Sequence, residues 1–181
     1  MQIGLARDMT ARFLPIFRAN HPERTPEAMW PETVLGDLGG YYEMHGRAVE
    51  NEPTDSCGGD MSFRFALCAL LDAVSYARRE ELPRVTPACC TALVAAVGAR
   101  ARNVWHADDP EAVDAFNRRD RQALTGRTMH DNTAANAVRI REWLMVAEWL
   151  EERVASREAD DSDDGECERW LEWWLEREGN L

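Results

Sequence analysis

Apolar residues recur at intervals of three and four along nearly the whole chain, and no stretch alternates apolar with polar in the β-branched manner of a strand. The pattern predicts an all-α protein. A first helix is expected from Ile3 to Arg18, with Leu5, Met9, Phe13, Ile16 and Phe17 on one face and a kink at Pro15. A short helix should follow Pro26, after which Gly36, Gly39 and Gly40 interrupt the pattern and Tyr41-Tyr42 opens another short element. Turn formers Asn51, Pro53, Asp55, Gly58 and Gly59 mark a loop between Gly46 and Asp60. Ser62 is placed to cap a helix from Phe63 to Glu81, whose apolar positions (Phe63, Phe65, Leu67, Leu70, Leu71, Val74, Tyr76) surround almost the whole cylinder. Such a helix belongs at the centre of a bundle. Its expected neighbour, Pro87 to Arg102, is built on Ala88, Cys89, Cys90, Ala92, Ala95, Ala96 and Ala99, and small side chains let two axes approach closely. The two should form an antiparallel hairpin through Leu82–Val85.

Three helix starts share one signature, a capping side chain followed by proline: Thr25-Pro26, Thr86-Pro87 and Asp109-Pro110. The last of these opens a polar helix, Pro110 to Leu124, that carries Arg118, Arg119 and Arg121 and ends near Gly126. The longest helix is expected from Asn132 to Arg157. It has a broad apolar stripe (Ile140, Trp143, Leu144, Ala147, Leu150, Val154) and a narrower one opposite (Val138, Met145, Trp149). A helix apolar on two sides has neighbours on both, or one neighbour and one unfilled partner site. Glu158 to Glu166 reads as an acidic linker, and a last helix from Cys167 to Glu178 aligns Cys167, Trp170, Leu171 and Trp174, flanked by Trp173 and Leu175. The expected architecture is a single-domain multi-helix bundle of six or seven helices over residues 1–157, an acidic linker over 158–166 and a C-terminal amphipathic helix over 167–181.

Charge changes this picture more than composition does. The hydrophobic fraction of 45% is ordinary for a globular chain, but the net charge is −12, and Glu142 to Leu181 hold fourteen of the 33 acidic residues against four of the 21 arginines. Five of the seven tryptophans lie in the same segment. Such a chain is repelled by DNA and RNA at long range, and its basic side chains, all arginine with no lysine, cluster only at Arg118, Arg119, Arg121 and Arg127 among interleaved acids. The longest nearly uncharged run, Pro87 to Ala99, is shorter than the ~20 residues that span a bilayer. No export signal is read in Met1 to Arg18, so a cytoplasmic location and no membrane partner are expected. Five cysteines, three of them inside apolar helical patterns, fit free thiols in a reducing compartment. No cofactor is expected.

The acidic, tryptophan-rich end is the feature that points to function. Glu148, Glu151, Glu152, Glu168, Glu172 and Glu176 would supply charge, and Trp149, Trp173 and Trp174 would serve as anchors for a protein with a basic surface. The last helix is expected either to fold back onto the Val138/Met145/Trp149 stripe or to meet a partner, including a second copy.

Other chemistry is thinner. Asp160, Ser162, Asp164 and Gly165 match the start of a calcium-binding loop, but its closing position is Leu171 rather than a glutamate. His106, the doublet His130-Asp131 and a later Asp160 or Asp161 could be assembled into the His…His-Asp…Asp set of a metal-dependent phosphohydrolase of the HD type, although Asp131 is more simply the N-cap of the long helix. Cys68, Cys89 and Cys90 read as buried and inert, leaving Cys57 as the one thiol expected in a loop.

From Gly46 to Leu150 the chain resembles an uncharacterised family of short proteins from actinobacteria and their phages. The resemblance rests on Gly46, Arg47 and Val49, on the helix Cys68-Ala69-Leu70 with Ala73, and on Trp105 and Asp108 before a Thr-rich helix start. Leu71 stands where that family usually has glycine and His106 where it has asparagine. The resemblance implies a small helical domain and no activity. The expected function is therefore an acidic interaction module, acting as an inhibitor, an immunity-type protein or a phage accessory factor that mimics nucleic acid at a basic site; the alternatives are the HD-type hydrolase and a structural homodimer.

Overall fold

A computed structural model describes residues 2–22, 30–46 and 58–157, and among them the regular structure is helical throughout, with no strand. The helices are α1 (Gln2–Ala11), α2 (Leu14–Asn20), α3 (Trp30–Gly36), α4 (Leu38–His45), α5 (Asp60–Arg78), α6 (Leu82–Asp108), α7 (Pro110–Asn117) and α8 (Thr133–Arg157). The expected helix start at Pro26, Cys57, the acidic linker and the tryptophan helix over 167–181 lie outside the described residues.

Pro15 divides the first predicted helix in two. It has no N–H to give the carbonyl of Ala11 and its ring crowds that group, so α1 stops there and Pro15 falls in the first turn of α2. Phe13 at the break and Phe17 beyond it are both fully buried, stacked against Phe63 at ring separations of 5.1 and 5.4 Å. The pair Gly39-Gly40, expected to interrupt the chain, instead forms the first turn of α4. Asp37 caps that turn by accepting the Gly40 N–H at 2.9 Å, and a Cβ on Gly40 would collide with the capping carboxylate.

The central helix is α5, as the all-round apolar pattern implied. Phe63, Ala66, Leu67, Leu70, Leu71 and Ala73 are buried against α1, α4 and α6; of the residues predicted to face inward, Phe65 alone points well out, at 60% exposure. The helix begins at Asp60, earlier than the predicted Ser62 cap. Gly59 makes this start possible: it has φ +98°, and a Cβ there would lie 2.3 Å from the carbonyl oxygen of Ala99 on α6. Without side chains at this point the entry to α5 presses directly on α6.

The hairpin between α5 and α6 is tighter than expected. It turns within residues 79–81, where Glu80 takes φ +61°, and Pro83 rather than Pro87 occupies the first turn of α6. Pro87 is carried inside the helix, one turn further on and exposed, where it removes one backbone hydrogen bond. Thr86 is therefore no cap. The alanine face pairs with α5 as predicted: Ala88, Cys89, Ala92, Ala96 and Ala99 are buried. Cys89 is 3% exposed and burial pushes its thiol up to about 11, so it is inert, whereas Cys90, expected inside, is exposed. One described helix, α6, is long and apolar enough to cross a bilayer; here it is flanked by α1, α5 and α8, which accounts for its composition.

Beyond α6 a smaller core forms around Trp105, with Ala101, Ala112, Val113 and Ala135. The Trp105 ring meets Phe116 edge-on at 5.9 Å and donates its indole N–H to the Arg127 carbonyl at 3.2 Å. Asp109 caps α7 by accepting the Ala112 N–H, as the Asp-Pro signature foretold. The helix ends at Asn117, short of the predicted Leu124. Residues 118–122 are all exposed and have no apolar face to hold a helix against the core, and Arg119 turns the chain with φ +58°. The basic cluster pairs locally in part: Arg127 bonds Asp109 at 2.5 and 2.9 Å and holds that carboxyl below the usual carboxylate range.

Candidate functional site: the outward face of α8

Helix α8 is fixed at its start by Asn132, whose side chain accepts the Ala135 N–H at 2.8 Å. Asp131, expected to be this cap, turns the other way and accepts from the amide and hydroxyl of Thr128, which hold its carboxyl below the ordinary value. Next to it, the His130 Nδ1 lies 2.8 Å from the Arg139 guanidinium. A cation would meet that positive charge on approach. His106 sits on α6 against Gly58, and among the described residues no three His, Cys, Asp or Glu side chains come together in a way that could hold a metal ion. Asp160 and Asp161, the remaining members of the supposed HD set, lie outside the described residues.

The rotation of α8 about its own axis reverses the sequence expectation. The side turned inward carries Ala135, Glu142, Val146 and Trp149, with Val138 and Met145 partly covered. Val146 and Trp149 pack with Leu5 and Met9 of α1 and Val97 of α6. The narrower predicted stripe is thus the core contact; the tryptophan-rich C-terminal helix, expected either on this stripe or on a partner, lies outside the described residues. Trp149, predicted as a partner anchor, is 7% exposed and belongs to the interior.

The broad stripe faces outward. Ile140 is 62% exposed, Leu144 57%, Leu150 43% and Trp143 39%, with Ala147 exposed among them. Alongside run Glu148, Glu151 and Glu152, all exposed on the C-terminal half of the helix. Of the predicted partner-binding residues, Glu148 and Glu152 are therefore brought together at one edge of an apolar face, and Glu151 lies at its C-terminal end. Glu168, Glu172, Trp173, Trp174 and Glu176 lie outside the described residues.

Glu142 sets this orientation. Its carboxylate is 1% exposed and meets two guanidiniums: Arg12, from the break between α1 and α2, at 3.1 and 3.3 Å, and Arg100, from α6, at 3.3 Å. Removing a carboxylate from water costs several kcal/mol unless it is paired and hydrogen-bonded, and the same holds for each arginine. Rotating α8 to bury the broad stripe would carry Glu142 out and leave Arg12 buried without its counter-charge. The penalty matches or exceeds the roughly 1.5–3 kcal/mol that burying one additional apolar side chain returns.

No protein-family model, curated protein or solved structure matches this chain.

A second polar cluster, absent from the sequence reading, lies at the start of α5. The His21 Nε2 sits 2.5 Å from the Asp60 carboxylate, which is fully buried, and Asn20 reaches both Asp60 at 3.5 Å and Asn103 at 3.4 Å. Burial pushes the Asp60 carboxyl above its ordinary value, and the His21 contact opposes that shift without cancelling it. The cluster ties the end of α2 to the starts of α5 and the last turns of α6, a structural pin. A histidine just past one helix and an aspartate after a Gly-Gly pair were its only sequence signals.

Proposed function

We propose that this protein is an acidic interaction module that occupies a basic site on a target protein, acting as an inhibitor, an immunity-type protein or a phage accessory factor. The observation that carries the reading is the exposed group Glu148, Glu151 and Glu152 on the outward side of α8, continued in the sequence by a segment, 158–181, in which acidic residues outnumber arginines by ten to two. Closely spaced carboxylates on a helix present to Arg and Lys what phosphates present. They steer a basic partner by long-range attraction and favour it over neutral competitors.

The reading predicts salt-sensitive capture. The full chain, immobilised and exposed to host lysate, is expected to retain a basic protein at low ionic strength and to release it as the Debye length falls from ~10 Å at 0.1 M toward ~3 Å at 1 M. The triple change Glu148→Gln, Glu151→Gln, Glu152→Gln should weaken that capture with the fold intact. The captured protein, purified, should lose bound nucleic acid when this chain is added. Capture indifferent to both salt and the triple change would contradict the reading.

A further inference from the structure

The apolar stripe beside those glutamates is larger than charge recognition requires, and its residue order is self-complementary. At 100° per residue, Ile140, Trp143, Leu144, Ala147 and Leu150 fall on one side of α8, with Arg139 on one flank and Arg141, Glu148 and Glu152 on the other; Glu151 closes the C-terminal end. We propose that this face seats a second copy of the chain, with the two α8 helices antiparallel about a twofold axis at the level of residues 144–146.

Size and charge both select that arrangement. In the antiparallel pair Ile140 lies level with Leu150 of the partner subunit, and the large Trp143 lies level with the small Ala147 of the partner subunit. Arg141 arrives between Glu148 of the partner subunit and Glu152 of the partner subunit. A parallel pair would set Trp143 level with its own copy, put Arg141 beside Arg139 of the partner subunit and leave Glu148 and Glu152 without an arginine, which is unfavourable. The twofold makes the contact isologous and closed, so it ends at two copies.

The chain's own C-terminal segment is the poorer occupant. Residues 158–181 hold ten acids and two arginines and would bring them against Glu148, Glu151 and Glu152. A second α8 instead brings Arg141 to Glu148 and Glu152.

The inference rests on reading the outward face of α8 as an interaction surface and adds what covers its apolar part. The twofold keeps the Glu148/Glu152 edges of both copies on the same side of the pair, so the dimer offers a basic target a longer acidic strip than one chain does. A single helix pair buries less than the ~800 Å² per partner of tight complexes, so the dimer should form at high micromolar concentration and dissociate on dilution.

Sedimentation velocity of the full chain over a concentration series tests this without any target. The wild type is expected to dimerise reversibly, Leu144→Glu to be monomeric throughout, and Arg141→Glu to weaken association at least tenfold. Adding Glu148→Arg and Glu152→Arg to Arg141→Glu should restore it, because the cross-axis pairs are re-formed with signs exchanged. All four positions are exposed or face solvent, so helicity by circular dichroism should stay constant and serve as the folding control. A wild type that stays monomeric at the highest concentration overturns the proposal. So does a dimer indifferent to Leu144→Glu, or one that the triple reversal fails to restore. Lysate capture that survives in the Leu144→Glu monomer separates the two readings: it leaves the acidic edge in place while the dimer is removed.

Discussion

Glu142→Gln is expected to cost about 3 kcal/mol of folding stability, because it leaves the buried Arg12 guanidinium and the largely buried Arg100 without the carboxylate they share. For a chain of this length that corresponds to a fall in Tm of roughly 6–12 °C. Thermal and urea unfolding followed by circular dichroism at low protein concentration would read it. Glu148→Gln, six residues further along the same helix and exposed, should change stability by no more than about 0.5 kcal/mol. The contrast is the informative quantity, since both glutamates belong to one acidic run in the sequence and only their angular positions on α8 separate them. Equal effects would mean that Glu142 is not held between the α1–α2 break and α6.

Trp149→Ala is expected to destabilise by about 3 kcal/mol or more, the range for a large aromatic lost from a core. The indole is 7% exposed and packs with Leu5, Met9, Val97 and Val146, so its removal opens a cavity where α8 rests on α1 and α6. The m-value should be unchanged, marking a loss of native packing rather than a change in the unfolded chain. Had Trp149 been the exposed anchor that its place in the aromatic cluster suggested, the same change would leave stability within about 0.5 kcal/mol.

Helix identity was legible because period-3.6 patterning depends on local sequence. The encircling apolar residues of α5 placed it at the centre, the alanines of α6 made it the close-packed neighbour, and Asp109-Pro110 marked the start of α7 within one residue. The misplaced boundaries belong to positions where tertiary contact overrides local preference. Ser62 looked like the cap of α5, but Gly58-Gly59 let the chain approach α6 and start the helix at Asp60. Pro87 looked like a first-turn proline, yet Pro83 filled that role and α6 continued through the second one.

The orientation of α8 was the least legible feature and the most consequential. Counting apolar residues favours burial of Ile140, Trp143, Leu144, Ala147 and Leu150, because burial scales with area. The count omits the ionic requirement of the neighbouring surface. Arg12 interrupts an otherwise apolar face between Met9 and Phe13, and Arg100 follows the buried Ala99. Two arginines at inward positions require a carboxylate from a third element, and Glu142 is the residue of α8 that supplies it. The signal was present in the sequence as misplaced charge on apolar faces, but it takes three elements to read. The same rotation carries Glu148, Glu151 and Glu152 outward beside the surplus apolar stripe, and so creates the candidate interface.

Thiol labelling in dilute solution tests that rotation most directly. In a background with the native cysteines replaced, Leu144→Cys and Val146→Cys place one probe on each side of α8. The outward-facing stripe predicts that the probe at 144 reacts nearly as fast as a thiol in an unfolded peptide, while the probe at 146 is protected until the protein opens. Protection at 144 together with rapid labelling at 146 would mean that the helix is turned the other way, and the interface inferred on its outer face would not exist.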